Sequence, residues 1–516
     1  MAIGALGFAL SLHFGLIGGP QFTEGLVVSE RPMSLNPLVD ASDPAVVDVG
    51  HLLYRSLLRL DRTGYPAPDL ASSYAVSADG RTYTVVLPDD VEWSNGQPIT
   101  PADVAATCEF AISRQADDPT IASALAGVVV SSQGSAVTFT LPAPRASFAA
   151  TLTQLPILPF GALGESASLS AGAHPMTPLP TSGVYEVASS GALAIVLRPN
   201  PHAARRPDIA SYELRLYLTF KDAESAFEQG DINALLATTP EELSTLLIVK
   251  GAQAESMTTL GFVDLMFNER VPGLSDSVVR HAIGVAIDRS AVVAGALEGR
   301  GGVVQTSPFS RGLEWVGASH VEATSPSAAD AVLQGEGWAP GPDGTRQRGT
   351  ERLAFTLSVP SIAPLPSVAT DVAAQLGTIG IRVTVKTVPP AGFLTDTLAT
   401  GDYQLAIDSW SPNPDPDVSG FWRSNAVPPH GYNVSGAPVD PFLDAALDVL
   451  AMSSERSARI TAAGKVTMLV ADDAPAVFLY TPEVSLVFRA PMPYAPIPPI
   501  GNESARYDEI GSWQLR

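Results

Sequence analysis

The sequence predicts an α/β protein, and two observations carry the prediction. From Ala354 onward strand and helix patterns alternate: a strand over Ala354–Val359, a helix over Val368–Leu376, a strand over Gly380–Val385, a helical turn over Phe393–Leu398 and a strand over Gln404–Asp408. Strands separated by helices point to a partly parallel sheet, because parallel neighbours need a crossover between them. Composition supplies the second observation. At 516 residues, 46% hydrophobic and 16% charged, the chain can bury a large core and is long enough for two to four domains.

Composition and motifs also remove several functions. A net charge of −23 leaves no basic stripe for a nucleic acid and fits a solvated acidic surface. Cys108, the single cysteine, has no intramolecular disulfide partner and reads as a small buried apolar side chain. The seven histidines show no zinc-ligand spacing, so no metal is expected. Gly164-Glu165-Ser166-Ala167-Ser168 lacks the second glycine of a hydrolase elbow, and no P-loop lysine motif occurs. Gly295, Gly299, Gly301 and Gly302 follow a helix rather than a strand, which is wrong for a phosphate cradle. Neither a cofactor nor catalysis is expected.

Residues 1–19 contain no Asp, Glu, Lys or Arg. A transmembrane helix needs about 20 apolar residues, so this segment is just long enough to be an uncleaved anchor. It also has the apolar core of a signal peptide, without a basic start or a small-x-small cleavage site, which suggests a start further upstream. Anchor, cleaved signal and buried helix all stay open; the first two send the rest of the chain across a membrane. No cysteine near the start offers a lipid attachment point.

Beyond Pro20, Phe22–Val28 is a strand candidate and Val46–Leu60 a helix. Leu70–Phe110 is the most densely patterned stretch. Asp79-Gly80 is a tight-turn dipeptide between two extended segments, with Tyr83, Val85 and Leu87 on one face. Thr100 can cap a helix that Pro101 opens, and Asp103 meets its orphan amides and positive dipole end. Val104, Cys108 and Ile112 are expected as its buried stripe. Further strands are expected over Val137–Leu141, Tyr212–Leu218, Ile232–Leu236 and Phe262–Asn268, and a helix over Asp222–Gln229 stopped by Gly230. Ser275 or Asp276 caps a helix burying Val279, Ala282, Ile283 and Ala286, and Ser290 caps the next. A long helix opens at Glu455-Arg456.

Several of these motifs occur in a telling order. They are Pro68-Asp69-Leu70-Ala71, Asp79-Gly80, Trp93-Ser94-Asn95-Gly96-Gln97-Pro98 and Thr100-Pro101-Ala102-Asp103-Val104. Asp276, Val279-Arg280, Ala282 and Ala286-Ile287-Asp288-Arg289 follow, then Ala474–Tyr480. Together they resemble the extracytoplasmic solute-binding proteins of family 5, the peptide- and nickel-binding subunits of ABC importers, over roughly residues 24 to 490. Pro88 departs from the pattern, which usually has arginine there. The resemblance implies a two-lobed periplasmic-binding-protein-like fold of type II, in its large three-subdomain variant, with a hinge near residues 264 and 479. Lobe I would span 21–264, with an inserted subdomain at about 38–180; lobe II would span 265–479, and 480–516 would return to lobe I. It further implies a monomer that captures an oligopeptide or other small solute and delivers it to a membrane permease. The alternative is a membrane-anchored regulator or assembly factor with the same fold and no transported ligand.

Asp408–Asp417 is the stretch most relevant to binding. Its prolines exclude helix and interior strand, so it reads as a rigid loop at a strand's end, where open α/β sheets hold ligands. A binding cleft needs aromatic walls and a few fixed polar groups. Trp410 is the first candidate wall, followed by Trp422 and Tyr432, each with core packing as its rival role. The resemblance adds Asn36 in Leu35-Asn36-Pro37-Leu38, Tyr54, and Asn433 beside Tyr432. Peptide-binding relatives anchor the ligand's amine on an aspartate shortly after the tryptophan; that register here holds Asn413 or Asp415. Arg280 and Asp288 are expected to be structural.

Overall fold

One thirteen-residue strand, Ala476–Phe488, runs through both halves of the molecule. The computed structural model describes residues 21–31, 33–39, 41, 43–114, 119–160, 179–309, 323–412, 414–489, 493–494, 500–501 and 503–515. The strand's first half pairs antiparallel with Phe262–Phe267, and its second half with Gln253–Thr259 and Ala234–Ala237. Beyond Phe262–Phe267 the sheet continues through Leu405–Trp410, then Ala354–Pro360 and Arg382–Val388, these last three mutually parallel. Beyond Ala234–Ala237 it continues through Gln21–Val27 and Ser211–Tyr217, both parallel, and then Ala194–Pro199 and Tyr185–Ser190. This is the mixed sheet that strand–helix alternation predicts, divided between two lobes.

The chain passes between the halves at Thr259–Phe262 and at Tyr480–Glu483, close to the crossings expected near 264 and 479. The Thr259 hydroxyl donates to the Pro482 carbonyl at 3.0 Å and ties the two crossings together. Between them Gly261 is required by close approach: a Cβ there would sit 2.7 Å from the Trp410 carbonyl oxygen.

Alternation sorts the central strand between two cores. Val263, Leu265 and Phe267 join Leu357, Val368 and Val372 on one face. Phe262 and Met266 face the other way, with Trp410, Leu447 and Val466. That second layer is built by the helices Pro441–Met452 and Arg456–Asp473; the first of them has no counterpart among the sequence expectations. A separate core gathers Phe22, Tyr212 and Leu214 with Tyr507, Ile510 and Trp513 from the end of the chain.

The hairpin around Asp79-Gly80 forms as expected, with strands Ser73–Val76 and Thr82–Val86 and Gly80 at φ 67°. Tyr83, Val85 and Leu87 are all buried. Ala136–Thr140 and Val129–Gln133 widen it to four strands, against which the Pro101–Ser113 helix packs. Asp103 closes a capping box, accepting from the Thr100 amide at 2.8 Å, while its other oxygen takes the Phe160 amide at 2.6 Å. Ile112, expected in the buried stripe, is instead 42% exposed. Steps of four residues drift by about 40° around a 3.6-residue helix, so by i+8 the stripe has turned away from the core. Ala111, at i+7 from Val104, is buried in its place.

Two other expectations are corrected. The helix expected over Val46–Leu60 covers Pro44–Leu53, and Leu58–Leu60 is a strand paired with Pro66–Pro68. The Leu53 carbonyl, which another helical turn would use, accepts the Ser182 and Gly183 amides at 3.1 and 2.8 Å instead. A tertiary contact thus ends the helix. Ser290 is not a cap: Asp288 caps Arg289–Ala296, accepting from Ala291 N at 3.0 Å. Arg280 is buried, bonded to Asp473 at 2.9 Å, to Glu269 at 3.1 Å and to the Leu274 carbonyl, so it has no free donor edge to offer a ligand.

The lobes also touch away from the crossings. Leu60 and Tyr65 pack on the Pro441–Asp473 helical layer, with the Arg456 guanidinium 4.3 Å over the Tyr65 ring. The Ala146 amide donates to the Ala451 carbonyl at 2.8 Å. Among the described residues no helix is long and apolar enough to cross a membrane; residues 1–20 lie outside them.

Candidate ligand-binding site

The site grows from the register of two antiparallel strands. Phe262–Phe267 and Leu405–Trp410 pair Phe262 with Trp410, Asp264 with Asp408 and Met266 with Ala406. Alternation puts all six side chains on one face of the sheet. From its place opposite Phe262 the Trp410 indole reaches diagonally, and its Nε1–H donates to Asp264 Oδ1 at 3.1 Å.

The loop beyond Trp410 leads into the short helix Ser419–Trp422, which stacks further rings on this face. Phe421 meets Trp410 edge-on at 5.3 Å, Tyr432 stacks on Phe421 at 5.4 Å, and Trp422 meets Phe478 at 5.8 Å. Tyr432 is held there by its amide, which donates to the Gly420 carbonyl at 2.7 Å. The result is a small cavity of about 20 Å³, lined by Asp264, Met266, Trp410, Phe421, Trp422 and Tyr432, and completed by Asn433, Val434, Ser435 and Pro475. Tyr432, 46% exposed, forms its rim.

Of the residues singled out in the sequence, Trp410, Trp422, Tyr432 and Asn433 meet at this cavity. Asn433 acts on the loop, donating to the Arg423 carbonyl at 3.0 Å and accepting from Ser435 Oγ at 3.0 Å. Asp415 is buried elsewhere in the same lobe, paired with the Arg459 guanidinium and accepting the Asp417 amide at 2.9 Å. Tyr54 lies in the core of the other lobe, where burial pushes its phenol pKa up. Asn36 is buried in that lobe too: its Oδ1 accepts the Leu38 amide at 3.0 Å, and its Nδ2 has no partner among the described residues. Asn413 lies outside the described residues.

Asp264 is the site residue that sequence reasoning missed. A signal for it existed, since it is a lone acid in Phe262-Val263-Asp264-Leu265-Met266-Phe267, a strand buried along its whole length. A charge in such a run is rarely there for packing. Phe421, Met266, Val434, Ser435 and Pro475 carry no comparable signal.

Burial raises the Asp264 carboxyl well above the ordinary carboxylate range; the Trp410 hydrogen bond opposes the shift and the neighbouring Asp408 charge reinforces it. Burial also pushes Asp408 up to about 6, against the stabilising Ser409 amide. A carboxyl whose folded pKa exceeds its unfolded value binds its proton more tightly in the folded state. Its stabilising contribution is therefore complete below about pH 4 and lost as pH rises through about 6. Asp408→Asn should raise stability at pH 7.5 by about 1–2 kcal/mol, allowing for solvent screening, and change little at pH 4. Urea titrations at both pH values read this out; equal differences at the two would show that Asp408 titrates normally.

A sheet divided between two lobes and crossed twice, with an aromatic cavity beside a crossing, defines a two-lobed solute-binding protein. Residues 65–429 match the bacterial extracellular solute-binding proteins, family 5 Middle, and the chain belongs to that family. Protein XP55 of Streptomyces lividans is 27% identical over 353 residues, which cover 67% of this chain and 63% of that protein. Oligopeptide-binding protein AppA of Bacillus subtilis is 24% identical over 490 residues, 90% of this chain and 87% of its own. The structure of AppA in complex with a nonapeptide superposes with a TM-score of 0.68 at 22% identity, covering 96% of this chain and 99% of that one. NikA from Brucella suis in complex with Fe(III)-EDTA gives a TM-score of 0.77 at 19% identity, over 96% and 100%. At these identities the structural likeness speaks for the fold.

Proposed function

We propose that this chain is the solute-capturing component of an ABC importer, and that it takes a peptide or peptide-like ligand between its lobes. It works as a monomer without catalysis and hands the loaded form to a membrane permease. Residues 21–264 and 480–516 form lobe I, with a subdomain inserted at about 38–180; residues 265–479 form lobe II, and the segment before Gln21 holds the protein at the membrane. The observation that carries the proposal is the aromatic cavity on lobe II beside the two crossing strands. Two crossings restrain the lobes lightly enough for hinge closure, and a ligand that binds the closed form better shifts the population toward it. The cavity has room for about one water-sized group, about 20 Å³, so it takes at most a terminal group of a ligand whose remainder lies between the lobes. The kinship with AppA supports the peptide class.

Thermal-shift screening against peptides, oligosaccharides and metal chelates tests the proposal. Peptides should stabilise the protein. Failure of every class, with the lobes already closed in solution, would favour a regulator over a transporter component. Trp410→Ala should weaken binding of the stabilising compound by about tenfold or more, since it removes the main wall and the Asp264 hydrogen bond together. Trp410→Phe, which keeps more of the packing, should lose less. Unchanged affinity in Trp410→Ala would remove this residue from the site.

A further inference from the structure

Most polar side chains in the wall of the cavity are already engaged with one another. The Trp410 Nε1–H donates to Asp264 Oδ1. The Ser435 hydroxyl donates to Asn433 Oδ1 and accepts the Ala437 amide at 3.2 Å, while Asn433 Nδ2 donates to the Arg423 carbonyl. Inside the Tyr432 rim two groups are left over. One is the second oxygen of Asp264, which has no side-chain partner among the described residues. The other is the Trp422 Nε1–H, buried and without a hydrogen-bond partner among the described residues.

What the Asp264 oxygen can offer depends on its proton. Asp264 is 1% exposed and stands directly opposite Asp408 on the neighbouring strand. Two ionised carboxylates at paired positions repel each other, and a buried one with no cation beside it is costly. The titratable side chains around Asp264 are Asp408 from the paired strand, Tyr403 from the turn before that strand and Tyr432 from the rim. None of them is a base, and among the described residues neither aspartate pairs with an Arg, Lys or His. The pair therefore holds one negative charge, and it rests on Asp408, the half-buried and better solvated member. Asp264 keeps its proton, in line with a carboxyl held well above the ordinary range by burial. Since Oδ1 takes the indole N–H, the hydroxyl is Oδ2, and a neutral carboxyl donates one hydrogen bond from it.

We infer that the cavity reads an uncharged hydrogen-bond acceptor, a carbonyl or hydroxyl oxygen on the ligand, through Asp264 acting as a neutral acid. The unspent Trp422 N–H adds a second donor to the same wall. The inference rests on the solute-capturing function proposed above and names the chemical group that the site reads. A water-sized space suits a single oxygen atom. An ammonium has no lone pair to accept the Asp264 hydroxyl. A carboxylate would bring a second negative charge close to Asp408 with no cation to balance it.

The test has two arms, both on the whole protein. Infrared difference spectra at pH 7 between the protein and Asp264→Asn should show the carbonyl stretch of a protonated carboxylic acid. Carboxylate bands in its place overturn the inference, need no ligand, and leave solute capture standing. The second arm offers three probes: a tryptic digest of casein, a set of neutral oligosaccharides, and Fe(III)-EDTA. Native mass spectrometry identifies the compound retained from the digest or the oligosaccharides, and calorimetry measures its affinity. Asp264→Leu should weaken that affinity by at least tenfold, because a buried acceptor is left unpaired. Asp264→Asn, whose amide supplies the same donor without a charge, should recover most of the loss. A loss in Asp264→Asn as large as in Asp264→Leu would show that the carboxylate charge does the binding, and overturns the inference. Affinity of Asp264→Leu within threefold of the original overturns it too, since the cavity would then hold no more than a structural water. Capture of Fe(III)-EDTA alone, whose acceptors are carboxylates, would sink the neutral subsite and leave solute capture standing. Capture of none of the three would sink both.

Discussion

Arg506→Met is expected to destabilise the protein by about 3–5 kcal/mol, a large fraction of the stability of an ordinary domain. Arg506 is buried, and its Nη2 lies 2.6 Å from Asp48 Oδ2 and 3.1 Å from Glu24 Oε1. Both carboxylates are buried as well, and the Tyr212 and Tyr507 hydroxyls donate to Glu24. Burial works against the charged guanidinium, but Asp48, Tyr507 and Glu24 more than offset it and hold its pKa well above the ordinary value. The cluster joins three distant pieces of chain: the Gln21–Val27 strand, the Pro44–Leu53 helix and the Glu503–Tyr507 turn. Removing the cation alone leaves two carboxylates in the interior with nothing to balance them. Removing all three charges, as in Glu24→Gln/Asp48→Asn/Arg506→Met, should recover most of the loss, because a buried ionic cluster is worth far less against a neutral one than against a broken one. Urea unfolding of the single and triple variants measures both effects. A loss below about 1 kcal/mol in the single variant would mean that water reaches the cluster.

This cluster marks where sequence reasoning stops. Local signals read well: Asp79-Gly80, the Thr100–Asp103 capping box and the Gly230 helix stop all act through neighbours in the chain, and all form. Glu24, Asp48 and Arg506 meet across more than 450 residues, and no local pattern announces that partnership. The same distinction governs the helix ending at Leu53, which stops because Ser182 and Gly183 take its carbonyl. In the site, aromatic residues on an irregular proline-rich loop were legible as candidate walls. Asp264 stood out only as a lone acid in an apolar strand; its role depends on the cross-strand register with Asp408 and on its place diagonal to Trp410, which no local pattern states. Tyr54 and Asn36 came from motif resemblance, and motif position does not determine which way a side chain faces: both are buried in the opposite lobe, away from the cavity.

Asp415→Asn separates a structural aspartate from a ligand anchor, and the expected result is a stability loss of about 3–5 kcal/mol with peptide affinity unchanged within threefold. Asp415 pairs with Arg459 in the interior, and Arg459 also donates to the Leu450 carbonyl at 3.0 Å and interacts with Tyr65. The pair therefore links three things: the loop after Trp410, the end of the Pro441–Met452 helix, and the tyrosine that the other lobe packs on this layer. Asparagine keeps the size and the oxygen that takes the Asp417 amide at 2.9 Å, so the loop beside Trp410 keeps its shape. It removes the anion, and Arg459 is left as a buried cation without its counter-charge. Arg459→Met in the same background should restore part of the stability, because the stranded charge is then gone. If Asp415 were the amine anchor, the pattern would reverse: affinity for free-amine peptides would fall more than a hundredfold, and unfolding would shift little. Urea titration and calorimetric binding on the two variants distinguish these outcomes directly. The physical basis for expecting the first is charge balance. One guanidinium already neutralises Asp415, so a ligand's ammonium would have to displace Arg459 before it could bind there.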